Sequence, residues 1–128
     1  MTANKGCVLV VDDDPEIVNF LGTLLELEGI TTQLATSAAQ AERILASPAA
    51  REIKLVLLDI AMPDRNGLDL CRAMHEDPRL RELPVFVVSA RPGRDVIERA
   101  REAGAKQFIR KPFENAELLA LIRDQLGI

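Results

Sequence analysis

Trp and Tyr are absent from this 128-residue chain, and aromatic residues make up only 3% of it. A surface that stacks nucleobases needs several exposed rings, so the shortage argues against a base-binding platform. Basic charge is also in short supply: 16 Lys and Arg stand against 20 Asp and Glu, leaving a net charge of −4 and a pI near 5. Direct nucleic-acid binding is therefore not expected. Only two cysteines occur, Cys7 at a strand start and Cys71 within a helical pattern, which suggests neither a disulfide scaffold nor a zinc site. Both read most simply as small buried apolar groups. No apolar run approaches the roughly 18–20 residues that span a bilayer. The stretch from Met1 to Gly6 leads into no apolar segment of the length a secretory signal carries. The expectation is a cytoplasmic chain without membrane contact. Its length suits one domain, residues 1–128, and 48% apolar with 28% charged residues is ordinary for a globular fold.

What the chain does have is a set of four short apolar runs, each ending in a polar group. Val8–Val11 meets Asp12 and Asp13, and Leu55–Leu58 meets Asp59. Val85–Val88 meets Ser89, and Phe108–Ile109 leads through Arg110 to Lys111-Pro112. Short runs rich in Val, Ile and Leu, separated by helical patterns, predict strands of a parallel sheet covered on both faces. A further short strand at 31–36 is expected, as an edge. The others are placed at 54–58, 84–88 and 107–110, besides the first run.

Helices fall between them. Asp14 and Pro15 form an N-cap and first-turn pair, followed by an inward face of Ile17, Phe20, Leu21, Leu24 and Leu25 that stops at Gly29. Ser37 starts a helix bearing Ala38, Ala41, Ile44 and Leu45, ended near Pro48. After a loop through Met62-Pro63 and Gly67 comes a helix with Leu70, Cys71 and Met74. Pro92-Gly93 precedes one with Val96, Ile97, Ala100 and Ala103, capped by Gly104. The last, from about Glu114, presents Leu118, Ile122 and Leu126. Five strands alternating with five helices, joined by right-handed crossovers, give an α/β, doubly wound, five-stranded parallel sheet.

In such sheets ligands bind beyond the carboxyl ends of the strands, so the polar ends should converge there. Clustered carboxylates repel, and either one takes a proton or all share a cation. A hard divalent ion with oxygen ligands, Mg²⁺ foremost, answers the second need and would shield an incoming phosphoryl group. Lys111 supplies a positive charge and Ser89 a hydrogen bond to a phosphate oxygen. A carboxylate among these groups suits nucleophilic attack on phosphorus, giving an aspartyl phosphate.

The segments Val-Leu-Val-Val-Asp-Asp-Asp-Pro, Leu-Val-Leu-Leu-Asp-Ile-Ala-Met-Pro-Asp-Arg-Asn-Gly, Val-Val-Ser-Ala and Phe-Ile-Arg-Lys-Pro-Phe resemble the receiver domain of two-component response regulators. The match runs in order over essentially the whole chain. The resemblance implies a flavodoxin-like (βα)5 fold with strand order 2-1-3-4-5. It implies Asp59 as phosphoacceptor, Asp13 as a direct Mg²⁺ ligand, Asp12 acting through water, and the Ala61 carbonyl as a further metal ligand. Ser89 would be the switch hydroxyl, Lys111 the phosphoryl contact, and Pro112 the residue after a cis peptide bond. Phe108 falls at the aromatic switch position, and the surface expected to change comprises the fourth helix, fifth strand and fifth helix. The implied partners are a sensor histidine kinase or phosphotransfer protein as donor, and a downstream protein or output domain as receiver of the signal. The chain would be a monomer or a phosphorylation-dependent homodimer. It would be a signalling domain with self-catalysed phosphotransfer rather than a turnover enzyme.

Two positions depart from the commoner pattern of that family. Asn66 stands where many relatives carry Asp but retains a turn-forming side chain. Ala61 and Arg91, two residues after Asp59 and Ser89, stand at the positions that flank the path of attacking water in that family. Ala61 offers such water no side-chain hydrogen bond, and Arg91 is expected to cover the site in part. About fifteen residues follow Pro112, enough for the last helix, so no output domain is expected within the chain.

Blander readings stand beside these. Asp12–Asp14 alone could be a strand-ending turn with a helix cap, and Asp14 is read as just that cap. Phe108 could be core, and His75, beside Glu76 and Asp77, a solvated helix end. The charged pattern of Arg94, Asp95, Glu98, Arg99, Arg101 and Glu102 reads as a salt-laced solvated face or a partner surface. An aspartyl-nucleophile phosphohydrolase of the haloacid-dehalogenase type would need a second Asp at position 61, where this chain has Ala. A degenerate receiver that binds partners without phosphate is opposed by the intact set Asp12, Asp13, Asp59, Ser89 and Lys111.

Overall fold

The apolar runs form strands β1 (Cys7–Val11), β3 (Ile53–Leu58), β4 (Val85–Ser89) and β5 (Gln107–Arg110), and the Thr-rich segment forms β2 (Thr31–Ala35). Between and after them lie helices α1 (Pro15–Leu27), α2 (Ala38–Ala46), α3 (Gly67–Glu76), α4 (Arg94–Glu102) and α5 (Asn115–Leu126), with a short 3-10 turn at Pro48–Glu52. This computed structural model describes residues 6–62, 64–90 and 93–128. The expectations placed on Pro63, Arg91 and Pro92 lie outside the described residues. All strand pairs are parallel, in the order β2-β1-β3-β4-β5, with β2 at one edge as expected.

Side chains alternate across the sheet and so divide the core in two. Val8, Val10, Leu55, Leu57 and Phe86 face α1 and α5, whose Val18, Leu21, Leu25, Leu118 and Ile122 close over them. Leu9, Val11, Val56, Leu58 and Val87 face α2, α3 and α4. The central strands are buried on both faces, which is why they read as continuous apolar runs rather than alternating ones. Each fully buried Leu or Phe contributes about 1.5–3 kcal/mol relative to exposure, and this holds the strand ends in register.

The inward face of α1 differs from the sequence expectation. Phe20 is 47% exposed, and the buried stripe is Val18, Leu21, Gly22 and Leu25. Gly22 explains the rotation: a Cβ there would lie 3.3 Å from Leu34 of β2, so the helix settles with its glycine against that edge strand and Phe20 turns to solvent. Ile17 and Leu24 pack at the margin of the core. Smaller shifts occur at strand ends, with β3 beginning at Ile53 and β4 extending to include Ser89.

Local chemistry sets the boundaries. The Asp14 carboxylate accepts from the Glu16 N–H at 2.9 Å, capping α1, with Pro15 in its first turn. Ser37 Oγ accepts from the Gln40 N–H and Asn66 Oδ1 from the Leu68 N–H, starting α2 and α3. Gly67 permits a close approach: a Cβ there would fall 2.5 Å from the Asp59 carbonyl oxygen and 2.6 Å from the Ile60 Cα. Helix α3 is thereby seated directly on the backbone that follows β3.

Candidate functional site: a carboxylate and lysine cluster

Strand register brings the polar ends together. Val11 pairs with Leu58, so Asp12 and Asp59 leave neighbouring strands side by side, and the Asp59 N–H donates to the Val11 carbonyl at 2.9 Å. On the other side Ser89 pairs with Arg110, and the Lys111 N–H donates to the Ser89 carbonyl at 2.9 Å. Parallel strands cut off at a common level thus deliver all five groups to one end of the sheet.

Oxygens of Asp12, Asp13 and Asp59 lie within 4.8 Å of one another. Asp12 and Asp59 are buried, whereas Asp13 is exposed at the rim. Lys111 Nζ donates to Asp12 Oδ2 at 2.6 Å and to Asp59 Oδ2 at 3.3 Å. The other Asp12 oxygen accepts from the Asp14 N–H at 3.0 Å, and Asp59 Oδ1 accepts from the Ala61 N–H at 3.1 Å. Burial pushes the Asp59 carboxyl above its ordinary pKa, and the Asp12 charge adds to this. The Ala61 N–H and the Lys111 charge pull the other way without cancelling it. Burial also works against the Lys111 ammonium, but its hydrogen bond to Asp12 and the charges of Asp59 and Asp12 outweigh this and hold its pKa above the ordinary value.

Ser89 is fully buried at the end of β4. Phe108 is half-buried on the sheet face that carries α4, where it lines a surface cavity with Ile97, Ala100 and Lys106. The Lys111–Pro112 peptide bond is cis, and Pro112 is exposed. Ala61 is exposed on the loop after β3. The structure therefore gathers Asp12, Asp13, Asp59, Ala61 and Lys111 at one point, with Ser89 held beside Lys111 through its backbone and Phe108 further along β5.

The donor set fits a hard divalent cation. Three carboxylates and one ammonium leave a net negative cluster, their oxygens are close enough to share an ion, and exposed Asp13 leaves a side open for water ligands. Sequence reading did not anticipate the direct Lys111–Asp12 ion pair, since nothing local links residues 99 positions apart. It also passed over Asp64. That carboxylate accepts from the Ala38 and Ala39 N–H groups at 3.1 and 3.0 Å, and the adjacent Arg65 pairs with Glu42 at 2.7 Å. The loop after Asp59 is thus tied to both the start and the flank of α2. A helix N-terminus capped from a distant loop leaves no mark in the sequence.

A sequence profile described as the response regulator receiver domain matches residues 8–123. The DNA-binding response regulator MtrA of Mycolicibacterium smegmatis is 35% identical over 121 residues, covering 93% of this chain and 50% of MtrA. The transcriptional regulatory protein CpxR of Escherichia coli is 36% identical over 116 residues, covering 91% of this chain and 47% of CpxR. The chain thus spans about half the length of the curated relatives it matches. Among solved structures, a response regulator receiver domain protein (CheY-like) from Methanospirillum hungatei superposes with a TM-score of 0.87 at 26% identity. That alignment covers 95% of this chain and 94% of the other.

Proposed function

Because the chain belongs to the response regulator receiver domain family, we infer that it is a phosphorylation-activated switch of a two-component phosphorelay. Asp59 accepts the phosphoryl group from a histidine kinase or phosphotransfer protein. The observation that carries this reading is the ion-paired cluster, in which Lys111 Nζ bridges Asp12 and Asp59 while Asp13 lies within ligand reach of both. Asp59 is the carboxylate that sits between the other two strand ends, with one oxygen held by the Ala61 N–H. Its other oxygen attacks phosphorus in line, and the donor's bond to phosphorus breaks with its electron pair leaving on the donor.

Asp12, Asp13, Asp59 and the Ala61 carbonyl would hold Mg²⁺. When bound, the ion neutralises the cluster and the phosphoryl oxygens together. Lys111, freed from part of its pairing with Asp12 and Asp59, turns to a phosphoryl oxygen. Ser89 offers its hydroxyl to another. The added charge of about −1.5 to −2 is read out as Ser89 moves and Phe108 shifts. This changes the surface of α4, β5 and α5 for a protein partner or an output domain; Pro112 sets the course of the loop between Lys111 and α5. The match to DNA-binding relatives covers half their length, so nucleic-acid contact is not assigned to this acidic domain. A cytoplasmic site of action is proposed from the family alone; no helix of the described residues is long and apolar enough to cross a membrane.

Incubation with acetyl phosphate and Mg²⁺ followed by intact-mass measurement tests the assignment. One phosphoryl group is gained by the native chain and none by Asp59→Asn or in the presence of EDTA. A gain that persists in Asp59→Asn would sink the site.

A further inference from the structure

Beside the carboxylate cluster a cavity of about 440 Å³ runs between the loop after β3 and helix α4, lined by Asp13, Ala61, Met62, Asn66, Val96 and Arg99 among others. We propose that it is a subsite for the acyl end of small acyl phosphates, with Arg99 as the residue that recognises the leaving carboxylate. This rests on Asp59 being the phosphoacceptor and adds which small-molecule donors that residue favours.

Continuity between cavity and cluster comes from two residues. Asp13 belongs to both, its carboxylate lying within 4.8 Å of an Asp59 oxygen. Ala61 is hydrogen-bonded through its N–H to Asp59, and its side chain is only a methyl group, so nothing bulky projects from it between the acceptor and the cavity. At the far wall stands Arg99, exposed on α4 and engaged in no ion pair among the described residues. Three carboxylates, the Lys111 ammonium and a divalent ion sum to formal neutrality, and among the described residues that line the cavity the Arg99 guanidinium is the cation that can meet the donor's remaining negative charge. Asn66 adds a polar side chain, while Val96 and Met62 supply an apolar wall for a short acyl chain.

The chemistry favours this placement. As Asp59 attacks, the phosphorus–oxygen bond to the acyl group breaks and its electron pair leaves on a carboxylate. No proton, oxidant or reductant is consumed. Negative charge grows on that leaving oxygen in the transition state, where a guanidinium can bind both oxygens of the departing carboxylate. Phosphoramidate, which releases a neutral amine, offers Arg99 no such anion.

The test compares initial rates of phosphoryl gain, at low donor concentration and saturating Mg²⁺, for acetyl phosphate and phosphoramidate. The native chain is set against Arg99→Gln and Arg99→Lys, both at an exposed position. The ratio of the acetyl phosphate rate to the phosphoramidate rate should fall roughly tenfold in Arg99→Gln, the effect of one charge-assisted contact, and recover in part in Arg99→Lys. An unchanged ratio overturns the subsite, as does an equal fall with both donors, which would make α4 a general support of the site. If the native chain accepts phosphate from neither donor, the phosphoacceptor reading itself fails and the subsite falls with it.

Discussion

Lys111 Nζ lies close enough to hydrogen-bond two buried carboxylates that would otherwise face each other across adjacent strand ends. Removing one member of such a group leaves uncompensated charge, which costs more than the group contributes when whole. Lys111→Ala should lose about 1–3 kcal/mol of stability in EDTA, less than a fully buried pair because the cluster opens to solvent at Asp13. Mg²⁺ should restore much of that loss, since a divalent ion answers the same charges. Urea unfolding with and without Mg²⁺ measures both numbers, and a deficit insensitive to Mg²⁺ would mean that Lys111 acts by packing alone. The residue types were legible early: Asp12, Asp13, Asp59, Ser89 and Lys111 each follow an apolar run. Which oxygen meets which nitrogen was not, because that depends on rotamers chosen in the assembled site.

At the scale of elements, the loop between β3 and α3 is pinned from both ends. Gly67 lets α3 press on the Asp59 backbone, and Asp64 holds the first N–H groups of α2. The Ala39 and Ala38 N–H groups keep the Asp64 carboxyl below its ordinary pKa of 3.8. A depressed carboxylate stabilises the fold above that ordinary value and stops doing so as pH falls through the lower folded value. Asp64→Ala should therefore lower the melting temperature by a few degrees at neutral pH. The gap to the native chain should close as the pH drops below the carboxylate range. Thermal melts followed by circular dichroism across that range check it, and a gap constant with pH would assign the effect to something other than the charge. The helix stripes were mostly readable, as Leu118 with Ile122 and Cys71 with Met74 show. Phe20 was misread because a period of 3.6 marks an apolar sector wider than the contact, and only Gly22 meeting Leu34 fixes which part turns inward.

For the whole molecule, the strand order places β4 and β5 at the edge opposite β2, so Ser89 and Phe108 stand between the cluster and the α4 flank. Val87 pairs with Phe108, and both belong to the face under α4. A pull on Ser89 is therefore felt first by that layer and not by α1, across the sheet. Amide hydrogen exchange should change on phosphorylation within α4 and β5, and within α5 only through the Lys111–Pro112 segment that leads into it, while α1 and β2 keep their protection. In Ser89→Ala the acceptor should still gain a phosphoryl group, but the exchange change in α4 and β5 should largely vanish. An undiminished change would route the signal through Lys111 instead.

By itself, the sequence determined the parallel α/β class and the residue types that make up the cluster. Those depend on local composition: apolar runs too continuous for a one-sided sheet, helix caps at Asp14 and Ser37, and polar residues at run ends. Tertiary structure alone decided the pairing of Lys111 with Asp12, the tether from Asp64 to α2, the outward turn of Phe20 and the cavity that joins Asp13 to Arg99. Each of these joins residues brought together only by crossover connections and side-chain packing, and such contacts have no period, cap or turn signal in the chain that makes them.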